Sequence, residues 1–145
     1  MPKEDPAPLL LRLLVEASRA FEDRVLDDLA MGGIRPAHIS VFRYLGPEGS
    51  RIGDLAAAAG MTGQAMGELV GKVRELGLVE VVTDPNDRRA RLVRPTPHGS
   101  EAMNRYAERV RVVEGRVRAE IGDDGLRDLR ALLARTGRIL SERPD

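Results

Sequence analysis

The sequence predicts a mainly α-helical fold with one small β-hairpin, in which a helix-turn-helix and a hairpin wing are flanked by long N- and C-terminal helices. Apolar residues recur at intervals of three and four in both halves of the chain. Two short helical segments, residues 54–59 and 63–76, are separated by only three residues, and an alternating β-branched run follows them. With 145 residues and 42% hydrophobic content, the chain can bury one core and is short for two domains.

Composition limits the classes of function. The 23 basic and 23 acidic residues give a formal net charge of zero, so any attraction to nucleic acid has to come from a local patch. The absence of cysteine excludes disulfides, thiolate catalysis and Cys-ligated zinc. Residues 1–8 form a polar lead-in without the apolar stretch of a signal peptide, and no run approaches the roughly 18 apolar residues of a membrane span. We therefore expect a cytoplasmic protein with no membrane partner.

The N-terminal part predicts a long helix and then a short one. Apolar residues at helical spacing run from Leu10 to Leu29, and the pair Gly32-Gly33 ends this first helix. Pro36 is expected in the first turn of the second helix, where proline costs no hydrogen bond. The buried stripe of that short helix is Ile39, Phe42 and Leu45.

The helix-turn-helix is supported by residues that meet separate steric demands. Ala56 is small where the second helix has to cross closely, and Gly60 can adopt the left-handed turn conformation. Thr62 is the expected N-cap of the second helix. The side chains expected to point inward are Met66, Leu69, Val70, Val73 and Leu76. This leaves an outer face of Gly63, Gln64, Gly67, Glu68 and Gly71. A plain helical hairpin is the alternative.

A hairpin is predicted directly after the helix-turn-helix. Residues 78–83 and 91–94 flank the turn-forming segment 84–87, so we expect a wing with a long arginine-bearing tip. Residues 84–94 carry four arginines against two aspartates, a local surplus of two positive charges: Arg88, Arg89, Arg91 and Arg94 against Asp84 and Asp87. An arginine on such a tip can insert into a narrow minor groove, where the potential is most negative.

The C-terminal part predicts two further helices. Thr96 and Pro97 supply an N-cap and a proline at the first helical position. Gly122 ends the first of these helices, and the last helix starts at about Gly125. Their apolar stripes are Ala102, Tyr106, Val110, Val113, Val117 and Ile121 on the first, and Leu126, Leu129, Leu132, Leu133, Ile139 and Leu140 on the second.

The outer face of the second helix of the helix-turn-helix is the candidate DNA-reading surface. Gln64 lies in its first turn, and the Gln64 amide can form a bidentate contact with adenine; a solvated surface role is the alternative. Gly67 and Gly71 cost a helix roughly 1 kcal/mol each relative to alanine, which is explained either by close approach to DNA or by a tolerated weak helix. Lys72 and Arg74 are candidates for phosphate contacts by charge and position.

The string from Asp84 to Gly99, DPNDRRARLVRPTPHG, resembles the wing signature of the MarR family of transcriptional regulators. In that family an aspartate and an arginine two residues later lie on the wing, and the acid orients the guanidinium toward DNA. The corresponding residues here are Asp87 and Arg89. Family members usually have leucine where this chain has Pro95, and bulkier or hydroxylated residues at the positions of Gly67 and Gly71. These departures concern the target sequence more than the fold.

The resemblance implies a homodimeric repressor that binds a pseudo-palindromic double-stranded DNA operator. Residues 34–96 would form the DNA-binding region, and residues 9–33 and 97–145 the dimerisation region. Long apolar stripes on the flanking helices agree with this independently. The resemblance also implies release by a small aromatic or phenolic effector in a crevice between the first, second and fifth helices. The candidate contacts there are Arg19, His38 and Phe42, with a buried structural role as the alternative for His38.

Two other classes of function were weighed. His38 and His98, the only histidines, have no partner at a spacing that suggests a metal site or a catalytic triad, and no phosphate-binding or dinucleotide-binding fingerprint is present. We therefore expect no catalytic residue, metal or cofactor. A winged-helix module that binds protein, or that packages DNA without a ligand response, remains the alternative to a regulator. A strong preference for one palindrome over random DNA would separate the two.

Overall fold

A computed structural model describes residues 9–27 and 34–142 and has the mainly α-helical architecture that the sequence predicts. The helices are α1 (Leu9–Asp27), α2 (Pro36–Tyr44), α3 (Ile52–Ala59), α4 (Gly63–Glu75) and α5 (Pro97–Ser141). The strands are β1 (Ser50–Arg51), β2 (Val79–Asp84) and β3 (Asp87–Pro95). The polar lead-in and the predicted end of the first helix at Gly32-Gly33 lie outside the described residues. None of the described helices is both long enough and apolar enough to cross a membrane.

Helices α3 and α4 form the predicted helix-turn-helix. Gly60 ends α3 in the left-handed conformation, with φ 67° and ψ 32°, which glycine adopts without a Cβ penalty. The Thr62 hydroxyl accepts the Ala65 N–H at 3.1 Å and so caps α4. Ala56 is buried where the helices cross. These expectations are confirmed, although α3 begins at Ile52, two residues earlier than predicted.

The sheet has three antiparallel strands in the order β1-β3-β2. The sequence does not predict strand β1. Its two residues pair with Val93 and Leu92 of β3, some forty residues away along the chain. Two residues are too few to show the alternating pattern that indicates a strand. Strand β1 therefore depends on tertiary structure, which supplies its hydrogen-bonding partner.

The wing differs from the predicted long tip. Only Pro85 and Asn86 connect the two strands, because Asp84 pairs with Asp87. The neighbouring residue Thr83 pairs with Arg91, so that residues 88–90 form a bulge in β3 opposite no residue of β2. The prediction of a long loop was therefore wrong. The extra length is taken up within a strand, and the bulge carries two of the wing arginines.

The core lies between the helix-turn-helix, α2, the sheet and the start of α5. Its fully buried side chains include Ile39, Leu55, Met66, Leu78 and Val93. Gly99, at the start of α5, packs directly on the backbone of Leu78: a Cβ at this position would lie 1.7 Å from the Leu78 carbonyl oxygen. Thr96 secures the same junction, because its hydroxyl accepts the Gly99 N–H at 3.0 Å and donates to the Gly77 carbonyl at 2.6 Å.

Helix α5 is interrupted at Gly122, whose φ of 79° and ψ of 168° are not helical. We call residues 97–121 the proximal segment and residues 123–141 the distal segment. The predicted break at Gly122 is confirmed, but the distal segment resumes at once, ahead of the predicted start at Gly125. Helix α1 packs on the proximal segment through Val25 and Val113. Among the predicted apolar residues of the distal segment, Leu126 alone is buried within the single chain.

Candidate nucleic-acid interface

Helix α4 has one buried face and one open face. Met66, Val70 and Val73 are buried, while Leu69 and Leu76 are half-buried against the core, as the sequence predicts. On the opposite face Gly63, Gln64, Glu68 and Gly71 are exposed, and Gly67 is half-buried. A Cβ at any of the three glycines of this face would meet nothing within 4 Å, so packing within the chain does not demand glycine there. The result is a strip of bare helix backbone beside Gln64.

Two cations extend this open face toward the end of α4. Lys72 and Arg74 are both exposed, and neither forms an ion pair with any residue in the described parts of the chain. They lie in the last turn of the helix, where positive charge also favours the helix dipole. Their charges are therefore available to an external anion.

The wing presents three further cations. Arg88, Arg89 and Arg91 are exposed, and within residues 9–27 and 34–142 their guanidinium groups have no hydrogen-bond or ion-pair partner. Arg94, lower on the same strand, is instead paired with Glu80 across the hairpin at 2.6 Å. The surplus charge of the wing therefore lies at its outer end.

Asp87 acts on the backbone of Arg89. Its Oδ1 atom accepts the Arg89 N–H at 3.0 Å, whereas the family resemblance implied a contact that orients the guanidinium. In the free chain the acid thus fixes the main chain of the bulge. The expected direct contact between the carboxylate and the guanidinium is not the one that the structure has.

A residue that the sequence did not single out joins this site. Arg51 contacts Oδ2 of Asp84 through Nε at 3.1 Å and Nη2 at 2.9 Å. Asp84 is buried, and its Oδ1 atom accepts the Asn86 N–H at 2.9 Å. The hydrogen bond from the Asn86 N–H is the main cause that lowers the pKa of the Asp84 carboxyl, and the Arg51 guanidinium lowers it further. Burial acts in the opposite direction. The Asp-Pro-Asn turn could have signalled the role of Asp84, but nothing local signals Arg51.

Of the three residues proposed for a ligand crevice, Arg19 alone lines the groove found along α1. An open groove of about 630 Å³ lies along α1, and Arg19 is among its lining residues. The full lining is Leu14, Val15, Ser18, Arg19, Glu22, Asp23 and Pro36. His38 and Phe42 do not line this groove, because α2 turns both side chains into the protein, where they are 7% exposed.

His38 has a structural environment. Its Nδ1 accepts the Arg35 backbone N–H at 3.1 Å at the start of α2, which requires a neutral ring with the proton on Nε2. Burial, followed by the positive charges of Lys72 and Arg35, lowers the pKa of His38. The interpretation as a buried structural histidine is the one that this geometry supports.

Comparison with known proteins connects this geometry to a family. Residues 32–90 match the family model described as MarR family. No curated protein matches the chain. Among solved structures, a MarR-family transcriptional regulator from Rhodococcus sp. RHA1 is 26% identical, with 90% of this chain and 93% of that chain covered and a TM-score of 0.74.

Two further structures are similar in fold. The transcriptional repressor CouR, bound to a 23-mer DNA duplex, is 24% identical over 86% of this chain and 89% of its own, with a TM-score of 0.73. NadR in complex with 4-hydroxyphenylacetate is 21% identical over 96% of this chain and 99% of its own, with a TM-score of 0.75. At these identities the likeness establishes the winged-helix fold.

Proposed function

We propose that this chain, whose residues 32–90 match the MarR family model, is a MarR-family transcriptional regulator that binds a pseudo-palindromic DNA operator as a homodimer and represses transcription from it. The observation that carries the proposal is the clustering, on α4 and the wing, of exposed cations that have no ion-pair partner among residues 9–27 and 34–142, in a chain of zero net charge. These cations are Lys72, Arg74, Arg88, Arg89 and Arg91. The CouR repressor structure, which holds a DNA duplex on the same fold, supports the assignment.

Each half-site is read by two elements in this proposal. The open face of α4 enters the major groove with Gln64 toward the base edges, and the glycine strip lets the helix backbone approach closely. Thr62 caps α4, and the first backbone N–H groups of this helix lie near a phosphate. The wing lies over the adjacent minor groove, where Arg88, Arg89 and Arg91 meet the strongest negative potential.

The dimer is proposed from apolar surface that the single chain leaves open. Exposed large hydrophobic side chains line α1 and the distal segment of α5, among them Leu10, Leu11, Leu132, Ile139 and Leu140. Exposed large apolar side chains that recur at helical spacing on these two elements support an interaction surface there. A two-fold dimer would separate the two copies of α4 by about one helical turn of DNA, roughly 34–36 Å.

The effector proposal rests on the groove along α1. Leu14 and Val15 line the groove together with Arg19, Glu22 and Asp23, so that apolar and polar groups are both present for a small aromatic or phenolic compound. The NadR neighbour was solved with 4-hydroxyphenylacetate, a ligand of this class. Titration with phenolic acids should release the protein from its operator. An Arg19→Ala variant should resist this release.

Genome-wide capture of bound DNA tests the central proposal. The captured site should be a pseudo-palindrome that the protein prefers over shuffled DNA by at least about a thousandfold at fixed salt. A Gln64→Ala variant should lose selectivity at one position per half-site, at a cost of about 1 to 3 kcal/mol. Equal affinity for captured and shuffled DNA would instead favour the architectural or protein-interaction module.

A further inference from the structure

We propose that Arg51 is the positioning residue of the wing: from β1 it holds both turn acids, Asp84 and Asp87, and so fixes the backbone of the arginine-bearing bulge. The inference rests on the proposed DNA-binding function for its consequence, but its structural part concerns the free protein.

The two acids are arranged in the same way around Arg51. Each uses its Oδ1 atom to accept the N–H two residues ahead: Asp84 from Asn86 at 2.9 Å and Asp87 from Arg89 at 3.0 Å. Each has its Oδ2 atom near Nη2 of Arg51, at 2.9 Å for Asp84 and 3.8 Å for Asp87. One guanidinium therefore faces the free oxygen of both acids that shape the two-residue loop and the bulge.

Arg51 is suited to this task because its own backbone is held from two sides. It pairs with Leu92 of β3, and it is the N-cap residue of α3. The guanidinium thus connects the outer end of the hairpin to the first helix of the helix-turn-helix. The Arg94–Glu80 pair cannot do this, because both of its members lie on the hairpin itself.

The arrangement has consequences for the wing arginines. The three-residue bulge lies next to the two-residue loop and has few backbone partners of its own. The Asp84 and Asp87 turns restrict it, and Arg51 restricts those acids. The Arg51 guanidinium is already paired with carboxylates, although 45% of its side chain is exposed. In this proposal it acts on DNA through Arg89 and does not contact DNA directly.

The structural part is tested without DNA, by amide hydrogen exchange of the Asn86 and Arg89 N–H groups. We expect exchange in Arg51→Met to rise about fivefold, in proportion to an ion pair that is partly exposed. Arg51→Lys should fall between wild type and Arg51→Met, because lysine keeps the charge but not the planar fork. Arg94→Met is the matched control and should leave both amides unchanged. Unchanged exchange in Arg51→Met would overturn the proposal.

The functional part is tested with a double-mutant cycle on the captured operator, or on sheared genomic DNA at fixed salt. Arg51→Met alone should weaken binding about fivefold, whereas the same change in an Arg89→Ala background should have little further effect. Additive losses would mean that Arg51 contacts DNA itself, and would overturn the proposal. If the wild-type chain binds no DNA, the proposed function fails while the exchange result still decides the role of Arg51.

Discussion

The winged-helix region, residues 34–96, differs from the flanking helices α1 and α5 in the exposure of its large apolar side chains. In the winged-helix region the large apolar side chains are buried or half-buried, with Tyr44 the exception at 40% exposure. Every other exposed large hydrophobic side chain in the described part of the chain lies on α1 or α5. The winged-helix region covers its own core, whereas the flanking helices leave apolar side chains uncovered within the single chain.

Arginines on the wing are also less often paired with acids than those on α5. On α5, Arg105, Arg111 and Arg127 are paired with acids one helical turn away. On the wing, Arg88, Arg89 and Arg91 have no such pairs among the described residues. These three wing arginines therefore lie together on the surface proposed for DNA, and the exposed apolar residues of α1 and α5 lie on the surface proposed for a second copy.

Removal of residues 123–145 should have the largest effect on oligomeric state and on DNA binding. We expect a monomer or an aggregate that has lost specific DNA binding, measured by light scattering coupled to size-exclusion chromatography. Each apolar side chain covered in a dimer contributes roughly 1.5 to 3 kcal/mol, and the deletion removes Leu126, Leu129, Leu132, Leu133, Ile139 and Leu140. A truncated chain that remains a folded dimer with full operator affinity would place the interface elsewhere.

Gly99→Ala should break the junction between the two regions. The added Cβ would lie 1.7 Å from the Leu78 carbonyl oxygen, a backbone atom that cannot move alone, so we expect a loss of at least about 3 kcal/mol in the free energy of unfolding. Gly71→Ala is the control, because its Cβ meets open space and should stabilise the free protein by about 0.5 to 1 kcal/mol. Urea unfolding of both variants without DNA measures this, and similar midpoints would refute the packing argument.

Arg89→Ala should weaken operator binding about tenfold while leaving the dimer and the Tm nearly unchanged, since the side chain is exposed and has no ion pair with any described residue. Asp87→Ala should cost less, because it releases the Arg89 backbone and leaves the guanidinium present. The control is Arg111→Ala on α5, which removes an exposed arginine paired with Glu108 and should not alter DNA affinity. Fluorescence anisotropy with labelled operator compares the three, and an unchanged affinity for Arg89→Ala would remove the wing from the interface.

The smallest expected effect is a pH dependence of stability at His38. Its folded pKa is lowered by burial and by the charges of Lys72 and Arg35, so the unfolded chain takes up a proton first as pH falls. The contribution of His38 is therefore constant above its ordinary pKa near 6.5 and decreases as pH falls below that value. Tm should decline more steeply below pH 6.5 in wild type than in His38→Gln, in which this titration is absent. Parallel Tm curves for the two proteins would contradict it.

The sequence by itself determined the features that depend on neighbouring residues. Helical faces follow from apolar spacing, and the caps at Gly60, Thr62 and Thr96 follow from backbone conformations and hydroxyl groups that act within three residues. Gly122 interrupts α5 for the same local reason. The open face of α4 could be predicted in full, because which side of a helix is apolar is visible in its own sequence.

Only the tertiary structure decided the features that join distant segments. Strand β1 exists because β3 offers it a partner, and residues 88–90 bulge because Asp84 pairs with Asp87. Arg51 reaches Asp84 across 33 positions of sequence, a separation that no local period encodes. His38 points inward because α2 packs on α4. In each case the side chain or strand is compatible with several environments, and the packing of other elements selects one of them.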